Sequence, residues 1–325
     1  MLYPFTFQPI FKERIWGGRN LERLYQKNLP LKISIGESWE ISDRAGDESI
    51  IANGPLAGKS IHWLMENHRA ELLGSAKPAA SGRFPLLIKI LDAQEKLSLQ
   101  VHPPAAKAAQ LGGEPKTEMW YIADTTPEAD LFVGLKRGVT RAEFEKRIHD
   151  GTVAECFPRI PVKKGDAMFL PSGRVHAIGA GNVIFEIQQN SDTTYRVFDW
   201  NRVDASGKPR ELHVEKSLES IDFNDIEPGL VSEKFVEQNG IKTRTLARDP
   251  LFTVTYNEVA SAEKNELSPR TMQIIGVLEG ELNIEHAEEK ITLSDGQFCL
   301  IPASLENVSL QADSRCSFLK TISGN

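Results

Sequence analysis

Two histidines, a glutamate and a glutamine are the residues of this chain best suited to hold a metal ion. Gln100 and His102 stand two apart in the run LSLQVH, and residues two apart on a strand face the same side. Glu118 opens the run EMWYI, and His176 follows the turn Gly165-DAMFL-Pro171-Ser-Gly173-Arg-Val. Brought together, two imidazoles, one carboxylate and one amide oxygen make a mixed nitrogen and oxygen site. Zinc accepts such ligands and keeps a position open for water or substrate; iron or manganese would also fit. On spacing alone, His102 and His176 read as surface or hydrogen-bonded core residues sooner than as ligands, because their spacing is not a compact zinc motif. His62, His68, His149, His213 and His286 lack even that setting and read as structural or surface residues.

Several charged residues need an explanation of their own. Lys89 interrupts the apolar run LLIKIL, and Glu186 sits among apolar neighbours in VIFEIQ. A charge buried in this way needs a partner or a ligand to offset its desolvation. Lys116 precedes Glu118 by two residues, and Asp192 and Arg196 flank the run TTY. For Lys116 the alternative is a solvated strand end; for Asp192 and Arg196 it is a structural salt bridge. Trp16, Trp39, Trp120 and Trp200 have strand settings that favour a core role over stacking on a sugar.

The elements that would position these residues are mostly short strands. Glu37–Ser42, Leu86–Leu91, Leu97–His102, Met119–Ala123 and Val183–Gln188 are rich in Ile, Val, Leu and aromatics, and most end at Gly, Pro, Asp or Asn. Helix is expected over Ser60–Leu73, Pro104–Leu111, Thr140–His149 and Glu211–Ile221; the third has a Thr start signal with Glu three residues on. Many short strands with few helices predict a mainly β barrel or sandwich. A polar stretch at Pro228–Asn239 suggests a boundary, and Thr271–Lys320 again reads as strands and turns. The turn at Gly165–His176 is echoed at Gly296-QFCLI-Pro302-Ala-Ser304-Leu-Glu-Asn307, which predicts two copies of one barrel, the second with Asn307 in place of the histidine.

The 325 residues allow two ordinary domains. A net charge of −7 argues against non-specific nucleic-acid binding, which needs a basic face. Cys156, Cys299 and Cys316 are too few and scattered for a disulfide framework and read as buried thiols. No signal peptide or membrane-length apolar run is present in the sequence. The expectation is a cytoplasmic monomer with no nucleic-acid or membrane partner.

The pattern G-x5-P-x-G-x2-H at Gly165–His176 resembles the second signature of the cupin barrel. The Asn that usually follows is displaced, with Ala at 180 and the next Asn at 182. The first signature, normally H-x-H with a Glu close behind, here becomes Gln100-x-His102 with Glu118 well downstream. That combination resembles the type I mannose-6-phosphate isomerases, in their compact bacterial form. The resemblance extends through FKERIWGG (11–18), GESWEIS (36–42), PLLIKILDAQEKLSLQVHP (85–103), KTEMWYI (116–122) and FLPSGRVHAIGAGNVIFEIQQNSDTTYRVFDWNR (169–202). It implies cupin-type jelly-roll barrels: a catalytic unit at 1–235 with a helical insert near 137–158, and a degenerate unit at 236–325 lacking metal ligands. It implies one zinc ion per chain held by Gln100, His102, Glu118 and His176, with Arg196 as the active-site arginine. Lys89 and Ser98 match positions that hold the substrate's phosphate end; Lys116, Glu186 and Asp192 match polar residues of the same pocket. Ile178 departs from the aromatic residue that longer members carry there. The implied reaction interconverts mannose 6-phosphate and fructose 6-phosphate through an enediolate. The base that moves the C–H proton is then a metal-bound water or one of Lys116, Glu186 and Asp192. An iron-dependent cupin oxygenase and a non-catalytic sugar-binding cupin are the alternatives.

Overall fold

Each of the five apolar runs forms a strand in the computed structural model, which describes residues 1–203, 207–238, 240–260 and 265–324. All eight residues of Leu86–Ala93 are buried, and Asn182–Gln189 beside it is buried but for its last residue. These two are the centre of a six-stranded sheet ordered Ile10–Gly18, Ile35–Ile41, Leu86–Ala93, Asn182–Gln189, Glu118–Thr125, Ala167–Leu170. A five-stranded sheet runs Tyr195–Phe198, Leu99–Val101, His176–Ile178, Asp130–Val133, Arg159–Pro161. Every pairing in both is antiparallel.

Register decides which side chains meet. Glu186 stands opposite Lys89 on one neighbour and Trp120 on the other. Gln100 stands opposite His176 on one side and Arg196 on the other. A one-residue slip would turn each of these to the opposite face.

The remaining strands repeat the plan. Val236–Gln238, Ile241–Arg248, Phe252–Val259, Cys316–Ser323, Gln273–Glu279 and Phe298–Ile301 make a second six-stranded sheet, with the last strand in sequence inserted at the same place in the order. Its companion runs Asn265–Leu267, Val308–Gln311, Leu282–His286, Glu289–Leu293. The echoed turns occupy equivalent places: Ala167–Leu170 and Phe298–Ile301 are both end strands, and His176 and Val308 each open the strand that follows. Glu118 pairs with Leu170 and Gln188; Gln273, paired with Ile301 and Ile322, is its counterpart in the repeat. Where the first barrel has the Glu118 carboxylate the second has the Gln273 amide, and Asn307 stands at the place of His176 in the echoed turn.

The two barrels share a core. Phe5 and Leu300 exchange backbone hydrogen bonds of 2.9 and 2.8 Å, and one apolar cluster includes Leu21, Phe84, Phe185, Phe298 and Leu300. Lys27 crosses the same junction, 2.7 Å from buried Glu40 and 3.2 Å from the Gly296 carbonyl. All three cysteines are buried and free.

Helices are few and short. Thr140 caps Arg141–His149 by accepting from the Glu143 N–H, as the sequence predicts, and Val153–Cys156 forms a 3-10 turn after it. The helix expected over Ser60–Leu73 is two, Ile61–Asn67 and Arg69–Leu73, broken at His68. Helix over Glu211–Ile221 is confined to Val214–Ser220. Among the described residues no helix is long and apolar enough to cross a membrane.

Candidate metal centre

His102 lies just past the end of Leu99–Val101, Glu118 begins its strand, and His176 begins the strand that pairs with Gln100. These positions converge. One nitrogen from each imidazole and one oxygen of the carboxylate all lie within 4.8 Å of one another, with all three residues buried. His102 Nε2 is 3.1 Å from Glu118 Oε1, and His176 Nε2 is 3.8 Å from Oε2.

The outer nitrogens fix the tautomers. Nδ1–H of His102 donates to the Thr193 carbonyl at 2.8 Å, and Nδ1–H of His176 donates to the Arg174 carbonyl at 2.9 Å. Each Nε2 is therefore left as a lone pair directed at the cluster, the arrangement in which backbone carbonyls orient metal-ligating imidazoles. Burial, reinforced for His102 by the charge of Lys116, lowers the affinity of both rings for protons, and His176 drops to about 3. Neutral rings are what a metal requires. His102 Nε2 and both Glu118 oxygens are buried without a well-directed hydrogen bond. Buried polar atoms rarely go unpaired, and these three face a common centre. The donor set fits a zinc ion.

Lys116 supplies positive charge beside the cluster. Its Nζ lies 2.5 Å from Glu118 Oε1, off the hydrogen-bond axis. Burial would raise the Glu118 carboxyl, but Lys116 and His102 outweigh it and hold the carboxyl well below its usual range. Burial disfavours the Lys116 ammonium too, yet Glu118 and Glu186 keep it charged beyond the usual lysine range. The amide Nε2 of Gln100 is 3.4 Å from His176 Nε2, and Ser98 Oγ is 3.4 Å from Gln100 Oε1.

A cavity of about 410 Å³ opens in front of the cluster. The ligand residues do not line it; Gln100 and Lys116, which touch them, do. All the other residues singled out from the sequence reach the same cavity: Lys89, Ser98, Glu186, Asp192 and Arg196. Lys89 Nζ stands 3.3 Å from Glu186 Oε2 and 3.8 Å from Glu37 Oε2. Trp120 Nε1–H donates to Glu186 Oε1 at 2.8 Å. Burial, with the Glu118 charge added, pushes the Glu186 carboxyl up. Asp192 is exposed at the cavity wall, and no salt bridge joins it to Arg196, whose Nη1 binds the Glu211 carbonyl at 2.7 Å. Trp16 and Trp120 are buried as core residues, but an edge of each also faces the cavity.

The cavity holds residues that sequence reasoning missed. Glu37 is gripped by Arg14 at 2.9 and 3.2 Å and accepts from Trp39 Nε1 at 2.6 Å. Burial opposes its charge, but Lys89 and Arg14 hold the carboxyl at about 2. Its run, GESWEIS, carries a second glutamate and two serines, so Glu37 did not stand out there as Lys89 does in LLIKIL. Arg210, also in the wall, lies in a loop without periodicity and gave no signal. His213, read as structural, is so: its Nδ1 accepts from the Arg196 backbone N–H at 3.1 Å.

Known proteins match this architecture along its length. The family model of the phosphomannose isomerase type I catalytic domain matches residues 5–135, and that of the mannose-6-phosphate isomerase cupin domain matches 242–319. Mannose-6-phosphate isomerase ManA of Bacillus subtilis is 38% identical over 96% of this chain and 97% of its own length. The mannose-6-phosphate isomerase of Streptococcus mutans is 34% identical over 96% of each. The crystal structure of a Bacillus subtilis mannose 6-phosphate isomerase superposes with a TM-score of 0.88 at 32% identity, covering 98% of this chain and 99% of that one. A zinc-bound mannose 6-phosphate isomerase shares the fold across the full length of both chains, with a TM-score of 0.79 at 16% identity. Long, nearly end-to-end identity on a repeated cupin barrel places the chain in the type I mannose-6-phosphate isomerase family of enzymes.

Proposed function

We propose that the chain interconverts mannose 6-phosphate and fructose 6-phosphate through an enediolate, with one zinc ion held by His102, Glu118 and His176 and supported by Gln100. The observation that carries this reading is the convergence of two neutral imidazole Nε2 atoms and the buried Glu118 carboxylate behind a cavity walled by charged residues. Zinc in that place would spread the negative charge that develops on the substrate's oxygens as the C–H proton leaves. Family membership argues against an iron oxygenase or a silent sugar binder. We place the catalytic unit within residues 1–235 and the unit without ligands in 236–325.

The cavity residues divide the remaining work. A phosphate dianion needs cationic donors, and Arg offers a fork while Lys offers a point charge. Arg196 and Arg210 line the cavity and add guanidinium donors for the phosphate to Lys89 and Ser98. Lys89 and Ser98 complete the substrate-binding set, with Lys89 kept in place by Glu37 and Glu186. Of the three side chains that could move the proton, Lys116 is bound to Glu118 and Asp192 is exposed. Glu186 is buried, held by an indole N–H and an ammonium within the cavity wall, and burial with the Glu118 charge raises its affinity for protons, as suits a group that accepts one.

Glu186→Gln is therefore expected to lower kcat by about 10²–10⁴-fold, the usual contribution of a positioned acid or base, while KM changes by less than about threefold. Wild-type product formed in heavy water should carry deuterium at the reacting carbon. A variant with kcat near wild type would move the proton-carrying role to Lys116 or Asp192; product free of deuterium would count against an exchanging enediolate.

A further inference from the structure

Asp199 follows the Tyr195–Phe198 strand and is 5% exposed. Arg210 meets it edge-on: Nε is 2.7 Å from Oδ2, and Nη2 binds Oδ1. Arg202 Nη2 reaches the same Oδ1 at 2.5 Å, and its Nη1 is tied to the Lys96 carbonyl at 2.6 Å. Arg196 stands three residues before Asp199, its Nε buried without a hydrogen-bond partner among the described residues. One carboxylate thus binds two guanidiniums, Arg202 and Arg210, and its charge also acts on Arg196; Arg196 and Arg210 line the cavity.

Arg210 commits its Nε–Nη2 edge to Asp199, and Nη1 makes no hydrogen bond among the described residues. Like charges this close repel, and a long arginine side chain escapes repulsion by rotating outward. We propose that Asp199 is a positioning residue for the substrate's phosphate group, holding Arg210 with its free edge toward the cavity and offsetting the mutual repulsion of the arginines. The inference rests on the reading of this cavity as a sugar-phosphate site. A purely structural Asp199 would affect stability; a positioning Asp199 affects anion affinity through Arg210 specifically.

The test uses the zinc-loaded enzyme and four variants: Asp199→Asn, Arg210→Gln, Arg202→Gln and the Asp199→Asn/Arg210→Gln double variant. The readouts are kcat, KM for mannose 6-phosphate, and the affinity for inorganic phosphate, measured as a competitor and by calorimetry. Losing a charge-assisted fork is expected to weaken binding about tenfold. Asp199→Asn and Arg210→Gln should each raise KM and the phosphate dissociation constant by that factor, with kcat within about threefold. In the Arg210→Gln background, Asp199→Asn should add less than threefold, because both act on one interaction. Unchanged or tighter phosphate binding in Asp199→Asn, or an undiminished effect in the double variant, would overturn the proposal. Should Asp199→Asn fail to fold, Arg202→Gln decides: it leaves the Asp199–Arg210 pair intact and should change KM by less than threefold, whereas a rise matching Arg210→Gln would overturn it. A wild type without turnover sinks the functional reading alone, since phosphate calorimetry on the same proteins still tests Asp199.

Discussion

His176→Ala is expected to fold, to lose its zinc, and to turn over mannose 6-phosphate at least about 10³-fold more slowly than wild type. Lewis-acid stabilisation of developing charge contributes several kcal/mol, and about 1.4 kcal/mol is a factor of ten in rate. His176 is the informative ligand to remove, because its polar contacts are with the Arg174 carbonyl, Gln100 and Glu118 and its ring packs on Trp120 and His102, so no buried charge is stranded. Removing Glu118 would instead strand the ammonium of Lys116 in the protein interior, confounding loss of metal with loss of stability. Circular dichroism checks the fold, elemental analysis the metal, and a coupled assay the rate. A folded His176→Ala protein with full zinc and near-normal kcat would remove His176 from the site.

Lys116→Met is expected to destabilise the metal-free protein by about 3–5 kcal/mol, the cost of breaking a buried ion pair on one side. Both partners are almost fully buried, so solvent screening does not soften the loss. The effect should be smaller with zinc bound, since the metal then compensates Glu118. The pH dependence follows from the directions of the two shifts. Glu118 is held below its ordinary value, so its share of the stability is present above the unfolded carboxylate range, about pH 4.3, and is lost as pH falls toward its folded value. Lys116 is held above its ordinary value, so its share is present below about pH 10.4 and is lost as pH rises through the folded value. The difference between wild type and variant should be greatest near neutrality and narrow towards strong acid and strong alkali. Urea melts of the metal-free proteins at several pH values measure it. A constant difference, or none, would show that the pair is not coupled as its geometry implies.

Legibility in the sequence followed the range of each signal. The Gly165–His176 turn and the Gln100-x-His102 alternation are local patterns, but spacing alone did not favour a ligand role for His102 or His176, which came from their likeness to the cupin signatures. Glu118 stands sixteen positions after His102, so its residue type at a strand entry made it a candidate while spacing could not join it to the histidines. Lys89 and Glu186 betrayed themselves as charges in apolar strands, and their pairing confirms that such charges need partners. Glu37 sits in a mixed polar run without that signal, and its partner Arg14 depends on which strands become neighbours, a long-range property. The break at His68 has no Gly or Pro to announce it; there His68 ends one helix and precedes the next, with its Nδ1 2.6 Å from Glu71. The shared core is further still from local pattern, since Phe5 and Leu300 meet across nearly the whole chain.

The most direct test of the account is one preparation carried through metal analysis, chelation and reconstitution, with fructose 6-phosphate formation from mannose 6-phosphate followed at each stage. The account predicts close to one zinc per chain, activity that disappears on chelation, and recovery when zinc is returned. Full isomerase activity in protein stripped of all metal would contradict it, as would stoichiometric zinc in a protein that does not isomerise mannose 6-phosphate.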